Sequence, residues 1–383
     1  MKLCLLLSMM LQAGSQDEAP LSVFSNLGEA SHQEIQAALD LASPGLTCEF
    51  RAVSPSDLLI ALERLPGTRP AGLLGYPLPL LIDAGRAGRL GGLPERLPLD
   101  HEAFRPNGAN GADGATGPAY VACWFSPVVL VRGLTDVERH ELEGLNPDWL
   151  PEQFQELGEG RFQGLLLLQT ARSWNAFGVL LAGLQRQSGD QDRADRLFAG
   201  LDANRAGPNL LDSGTLLNRL AGRRQIGVST LRQFRRSPGA EEGTLASFDP
   251  GGQPAALVYG LAGLAGSSSA LAPLLAVLRD PDLIIKIALL EHLIPASNRI
   301  DNARLEPWML PYRLWFEGNA SQLALDQEQA QRVAARFRNE IMGSLARKQE
   351  VFSKYFDTIA IALMAIFIIW VIRHREDRVR SQK

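Results

Sequence analysis

The chain has 383 residues, 46% hydrophobic and 21% charged, with a formal net charge of −4. Such a composition is ordinary for a globular protein, and the length suffices for two domains or lobes. A mildly acidic balance, with no basic stripe interleaved with aromatics, gives no electrostatic drive toward nucleic acid and excludes that partner class.

The chain opens "MKLCLLLSMMLQAGSQ". Lys2 supplies a short positive end, Leu3 to Leu11 is apolar, and Ala13-Gly14-Ser15 puts small residues ahead of a cut at Gln16. That layout predicts a signal peptide over 1–15, against the alternative of a buried first strand or helix. Cys4 lies too early for a lipid-anchor cysteine. Removal of the signal leaves Cys48 and Cys123, both in strand-like runs, "LTCEF" and "YVACWF". Export permits a disulfide between them, but cysteines in apolar strands are more often buried free thiols.

"LSVFS" (21–25) alternates and reads as a strand, and the following segment carries Ile35, Ala38, Leu39 and Ala42 at helical spacing. "GLTCEFRAV" is a second strand, "PSDLLIALERL" a helix, "PAGLLGYP" a buried third strand and "LPLLIDAGRAGRL" a helix. Three strand–helix alternations predict a mostly parallel sheet covered on both faces. "RPNGANGADGATGP" (105–118) reads as a surface loop, and "AYVACWFSPVVLVRG" as a long strand. "NPDWLPEQFQELGEGRFQGLLLLQT" then predicts a helix and a buried strand, and two helices and a helix–strand pair follow up to "GVST". This block repeats the α/β pattern and counts as a second lobe. Glu241 and Glu242, in a Pro/Gly-rich stretch, read as solvated loop. The uncharged stretch 254–278 reads as strand, loop and helix start rather than a membrane span. Asp326 and Gln329 resemble a capping box opening a helix with Val333, Phe337, Ile341 and Leu345 on one stripe.

Tyr355 to Ile372 carries one charge, Asp357, and no proline. As a helix it would span about 27 Å, close to a hydrocarbon core of roughly 30 Å. Tyr355 and Trp370 sit where aromatic belts form, and Arg373, Arg375, Arg378, Arg380 and Lys383 follow. The reading is a single transmembrane helix with the body extracytoplasmic and the basic tail cytoplasmic.

Five segments together resemble the periplasmic solute-binding proteins of iron-type ABC importers. "LSVFSNLGEA" looks like that family's first strand and ligand loop, and "WLPEQFQELGEGRFQGLLLLQTARSWNAFG" like its mid-chain segment. "LLDSGTLLNRLAGRRQIGVST" is similar to its serine-rich loop, helix and strand. "ALVYGLAGLAGSSSALAPLLAVLRDPD" and "PYRLWFEGNASQLALDQEQAQRVAARFRNEI" look like its closing elements. The resemblance covers about residues 20–345. It implies an α/β, two-lobed type 2 periplasmic-binding-protein fold, with two crossing strands near 119–131 and 254–262 and a ligand held between the lobes. To this the sequence adds a C-terminal transmembrane helix. The boundaries are a signal peptide at 1–15, lobe 1 over 16–125 and lobe 2 over 126–254. A return to lobe 1 over 255–325 is followed by an amphipathic helix or stalk over 326–354, the membrane helix 355–372 and the tail 373–383.

Iron-binding members of that family use a tyrosine pair where this chain has Leu211, Asp212, Ser213 and Gly214, and "RPAGLLG" replaces their acidic residue before the third strand. Both departures speak against a bare ferric site. Loops at strand ends and helix starts, where free N–H groups favour anions, supply the candidate ligand residues. They are Ser25, Asn26, Tyr76, Arg172, Ser173, Trp174, Asn175, Asp212, Ser213 and Thr230. The serines are equally suited to helix capping, Tyr76 to sheet-edge packing and Arg172 to a solvated surface. No H-E-x-x-H, G-x-S-x-G or phosphate-loop motif occurs, the five histidines show no metal spacing, and no cofactor is implied. The expectation is a non-enzymatic, membrane-tethered binding protein. It would take a small anion or complexed metal and deliver it to an ABC permease. The alternative is a ligand-free two-lobed interaction or sensory ectodomain acting through a membrane partner.

Overall fold

The structure is a computed structural model, and it describes residues 20–63, 70–94, 102–104, 118–135, 138, 149–207, 210–249, 253–342 and 364. The expected signal peptide, most of the glycine-rich loop, the basic tail and all but Met364 of the expected membrane helix lie outside those residues. Among the described residues no helix is long and apolar enough to cross a membrane. The chain divides into two compact units, 1–334 and 335–383. Of the second, a π-helical stretch, Phe337–Met342, is described.

The first unit opens with the expected alternation: β1 (Leu21–Ser25), α1 (Glu29–Ala42), β2 (Cys48–Ala52), α2 (Leu58–Glu63), β3 (Gly72–Pro77) and α3 (Leu78–Arg86). β1 lies between β2 and β3 and pairs parallel with both. A two-residue strand, β4 (Leu90–Gly91), leads toward β5 (Tyr120–Gly133), which is buried along all its 14 residues. Burial on both faces explains why this stretch reads as one unbroken apolar run.

The second lobe contributes β6 (Leu166–Leu167), α4 (Ala176–Ser188), α5 (Gln191–Ala203), α6 (Ser213–Leu220), β7 (Ile226–Thr230), α7 (Leu231–Arg235), α8 (Pro238–Glu241) and β8 (Leu245–Phe248). The chain returns through β9 (Ala256–Leu264), α9 (Ala272–Val277), α10 (Pro281–Glu291) and β10 (Ile294–Pro295), and ends in the 27-residue α11 (Leu310–Arg336).

The strand order β2-β1-β3-β9-β5-β7-β6 shows how the lobes join. The first half of β5 pairs antiparallel with β9, Tyr120 opposite Ala262 through Pro127 opposite Ala256. Its second half, from Val128, pairs with β7 and β8. β5 and β9 are therefore the crossing strands, at 120–133 and 256–264 where 119–131 and 254–262 were expected. Separate apolar cores lie on either side. One gathers Val23, Ile35, Leu73, Phe125, Leu261 and Ile284; the other gathers Val129, Val131, Leu216, Leu220 and Leu231.

Four expectations are corrected. The sheet is mixed rather than mostly parallel: β2, β1 and β3 run parallel, as do β6 and β7, but the crossing strands β5 and β9 are antiparallel to each other and to the strands beside them. The helix expected in "PEQFQELGEGRF" is instead two 3-10 turns, Phe154–Gly158 and Gly160–Phe162. Gly158 and Gly200 explain the change: a Cβ at Gly200 would lie 2.3 Å from the Gly158 carbonyl oxygen, so α5 presses on a tight glycine turn. Glu241 and Glu242 are exposed, as expected, but Glu241 ends the short helix α8 and Glu242 is its C-cap rather than part of a loop; β8 follows. Asp326 is no cap, because α11 begins at Leu310 and runs through it. Its side chain is 2% exposed and takes a bidentate fork from Arg186, Nε to Oδ1 at 3.0 Å and Nη2 to Oδ2 at 3.1 Å.

The next residue, Gln327, clamps a crossing strand: its Nε2 donates to the Ala256 carbonyl (2.9 Å) and its Oε1 accepts from the Val258 N–H (3.3 Å). Cys48 and Cys123 are buried thiols that form no disulfide, and burial pushes the Cys48 pKa up to about 12.

Candidate functional site

A cavity of about 520 Å³ opens between the lobes. Lobe 1 lines it with Asn26, Pro55 and Pro77, and crossing strand β9 with Leu257 and Tyr259. Trp174, Gly214, Leu217 and Asn218 face it from lobe 2, joined by Arg232, Gln233, Arg236, Ser237 and Pro238 from α7 and α8. The walls mix apolar and polar side chains, and four of the polar ones, Arg232, Gln233, Arg236 and Ser237, come from one short region.

The sequence places these polar groups through two local devices. Thr230 ends β7 and forms a capping box with Gln233, accepting from the Gln233 N–H at 3.2 Å. The cap fixes the start of α7, and the i, i+4 spacing of Arg232 and Arg236 puts both on one helix face. Arg232 is further held by its backbone N–H, which donates to Ser126 Oγ on β5 (2.9 Å). Across the cleft, α10 closes with His292 in the left-handed region (φ 53°), which turns the chain directly after Glu291.

Glu291 is the electrostatic centre of the region. Burial alone would raise its pKa. Arg232, the Gly28 N–H, the Ser31 hydroxyl and Arg236 together outweigh burial and hold it below the usual carboxylate range. Arg232 is 5% exposed, and its guanidinium lies 5.1 Å from the centre of the Tyr259 ring. Burial raises the Tyr259 phenol, with Arg232 opposing. Among the described residues Arg232 Nε makes no hydrogen bond. Two arginines against one carboxylate leave an excess positive charge on the wall, carried by the half-exposed Arg236. Burial, then the neighbouring Arg235 and Arg236, lower the pKa of His292. Among the described residues no group of three or more His, Cys, Asp or Glu side chains is placed to hold a metal ion.

Of the residues singled out from sequence, the cavity brings together Asn26 and Trp174. Asn26 donates to the Gly75 carbonyl (3.2 Å), and its own carbonyl accepts from Arg232 Nη2 (2.9 Å). Trp174 carries the Arg172 guanidinium 5.3 Å from its ring centre, while Arg172 is otherwise exposed. Ser25 is buried and bonds His32 Nε2 at 2.8 Å. Tyr76 is fully buried and donates to the Val53 carbonyl (2.8 Å). The β-bulge between Leu74 and Tyr76 places it there: Gly75 has φ +72°, and a Cβ on it would strike Leu27 at 2.5 Å. Ser173 donates to Asp83 Oδ2 across the lobes (3.3 Å).

Asn175 and Asp212 cap helices, accepting from the Gly178 N–H (2.9 Å) and the Thr215 N–H (2.8 Å). Ser213 opens α6. Thr230, buried behind α7, caps rather than lines.

Arg232, Arg236 and Tyr259 were not among the sequence candidates. The signal that could have found the arginines is their i, i+4 spacing directly after a strand that ends in a threonine cap.

No protein-family model matches the chain, and no curated protein matches it in sequence. In fold it has the two-lobed α/β architecture of periplasmic binding proteins. Iron-bound HitA from Pseudomonas aeruginosa superposes with a TM-score of 0.61 at 17% identity, over 84% of this chain and 99% of that one. Apo ferric ion-binding protein A of Pasteurella haemolytica gives 0.61 at 12%, over 83% and 98%. Trichodesmium IdiA (FutA), in complex with iron and citrate ligands, gives 0.59 at 14%, over 82% and 99%. At these identities the likeness is one of fold.

Proposed function

We propose that this chain is a solute-binding protein, not an enzyme, whose interlobe cleft takes a small anion or a metal ion carried as a complex with such an anion. The observation that carries the reading is the 520 Å³ cavity with Arg232 and Arg236 on one wall and Asn218, Gln233 and Ser237 beside them. Guanidinium groups bind carboxylate and phosphate oxygens through paired N–H donors, and a low-dielectric cleft strengthens such bonds. The cavity exceeds the size of a bare ion, and its lining offers one tyrosine, Tyr259. The citrate in the Trichodesmium complex favours the complexed-metal form of the reading. Delivery to an ABC importer accords with the sequence resemblance. The 355–372 segment would tether the body on the extracytoplasmic face, with the basic tail inside, and so raise its effective concentration near a permease.

Titration calorimetry on the full chain in detergent tests this, with citrate, phosphate, ferric citrate and ferric ion held by a weak chelator. Saturable binding of an anion or of the ferric complex, without uptake of ferric ion alone, is expected. Ferric uptake that needs no anion would overturn the reading, and silence across the panel would turn it toward the interaction ectodomain.

A further inference from the structure

Glu291 bridges the lobes. It ends α10, which packs with α1 in lobe 1, and it is 1% exposed. Oε1 accepts from the Gly28 N–H and from the Ser31 hydroxyl (2.8 Å), both at the start of α1. Oε2 accepts from Arg232 Nη2 on α7 and from Arg236 Nη1 (3.1 Å) at its C-cap, both in lobe 2. Arg232 Nη2 also reaches the Asn26 carbonyl, in the loop after β1.

One carboxylate thus gathers two donors from each lobe. The lobes cannot part without breaking both ion pairs and stranding a buried carboxylate on one side and a buried guanidinium on the other, the costly way to divide a desolvated pair. Ser173 to Asp83, at 3.3 Å, and the Arg186 fork onto Asp326 of α11 also join lobe 2 to the rest of the fold, but neither lies on the cleft wall.

We propose that Glu291 is a built-in anion that latches the two lobes together in the absence of solute, and that an incoming anion binds by competing with it for Arg236. The latch rests on the contacts themselves; the competition rests on the anion-binding reading above. Such a latch lowers apparent solute affinity, because only the fraction of molecules with a released arginine is competent to bind.

Hydrogen–deuterium exchange of the full chain in detergent tests the latch without solute. In Glu291→Gln the amides of 28–31 and 232–236 are expected to exchange about tenfold faster or more, while those of α5 keep their wild-type rates. Arg236→Gln removes a half-exposed partner and is expected to shift the same two segments in the same direction by less. That variant alone decides the matter if Glu291→Gln loses protection throughout the chain. Wild-type exchange in both segments overturns the latch. Citrate titration then separates the two ideas. Tighter citrate binding by Glu291→Gln than by wild type supports the competition, and equal binding removes it. No citrate binding by either protein counts against the anion reading and leaves the latch to the exchange data.

Discussion

Replacing Arg186 with alanine is expected to cost about 3–5 kcal/mol of folding stability at neutral pH, the largest single-site effect outside the apolar cores. Arg186 forks onto Asp326 through Nε and Nη2, donates to Gln322 Oε1 at 2.9 Å and to the Pro254 carbonyl at 3.1 Å. It thereby joins α4 of lobe 2 to α11 and to the approach of crossing strand β9. Without it a carboxylate that is 2% exposed has no countercharge. Burial pushes Asp326 up to about 6 even with Arg186 beside it. An acid with a raised folded-state pKa binds more protons folded than unfolded. Its stabilising contribution is therefore present at low pH and lost as pH rises through the folded value. Removing Arg186 raises that value further, so Arg186→Ala should be hurt most near pH 7.5 and least near pH 5. Chemical denaturation at about these two pH values checks it. A loss under about 1 kcal/mol, the same at both, would contradict the buried-pair account.

The second large effect concerns binding. Arg236→Met is expected to weaken anion binding by about 1.5–3 kcal/mol, roughly ten- to 150-fold, the worth of a hydrogen bond to a charged group. Its side chain is 43% exposed, so the fold should tolerate the change, and the loss should appear in affinity rather than in stability. Arg172→Met is the control: that guanidinium stacks on Trp174 at the rim and should alter affinity by less. Calorimetry with citrate on both variants reads the difference. Equal losses would remove Arg236 from its anchoring role.

The scaffold was more legible than the site, for a physical reason. Strands β5 and β9 are buried on both faces, so long apolar runs announce them wherever the surrounding chain goes. Helix starts are local as well, and Asn175, Asp212 and Thr230 were read as ligand candidates because polar residues there meet free N–H groups. The same chemistry misleads when a ligand is sought: these side chains spend their acceptors on the N–H groups of their own helices.

The Arg232–Glu291 pair joins residues 59 positions apart, and Gly28 to Glu291 spans 263. The threonine cap and the i, i+4 spacing in "TLRQFRR" put Arg232 and Arg236 on one face, but the carboxylate that draws both into the cleft lies far along the chain. Asp326 illustrates the converse error, since Asp-x-x-Gln occurs in helix interiors as readily as at helix starts, and its partner lies 140 residues away.

The native mass spectrum of the full chain, purified without denaturation and released from detergent in the instrument, bears most directly on whether the cleft holds a small anion or its metal complex. A small-molecule adduct that vanishes on unfolding and is absent from Arg236→Met is the predicted result. A bare mass, unchanged after incubation with citrate, phosphate and ferric citrate, would contradict it.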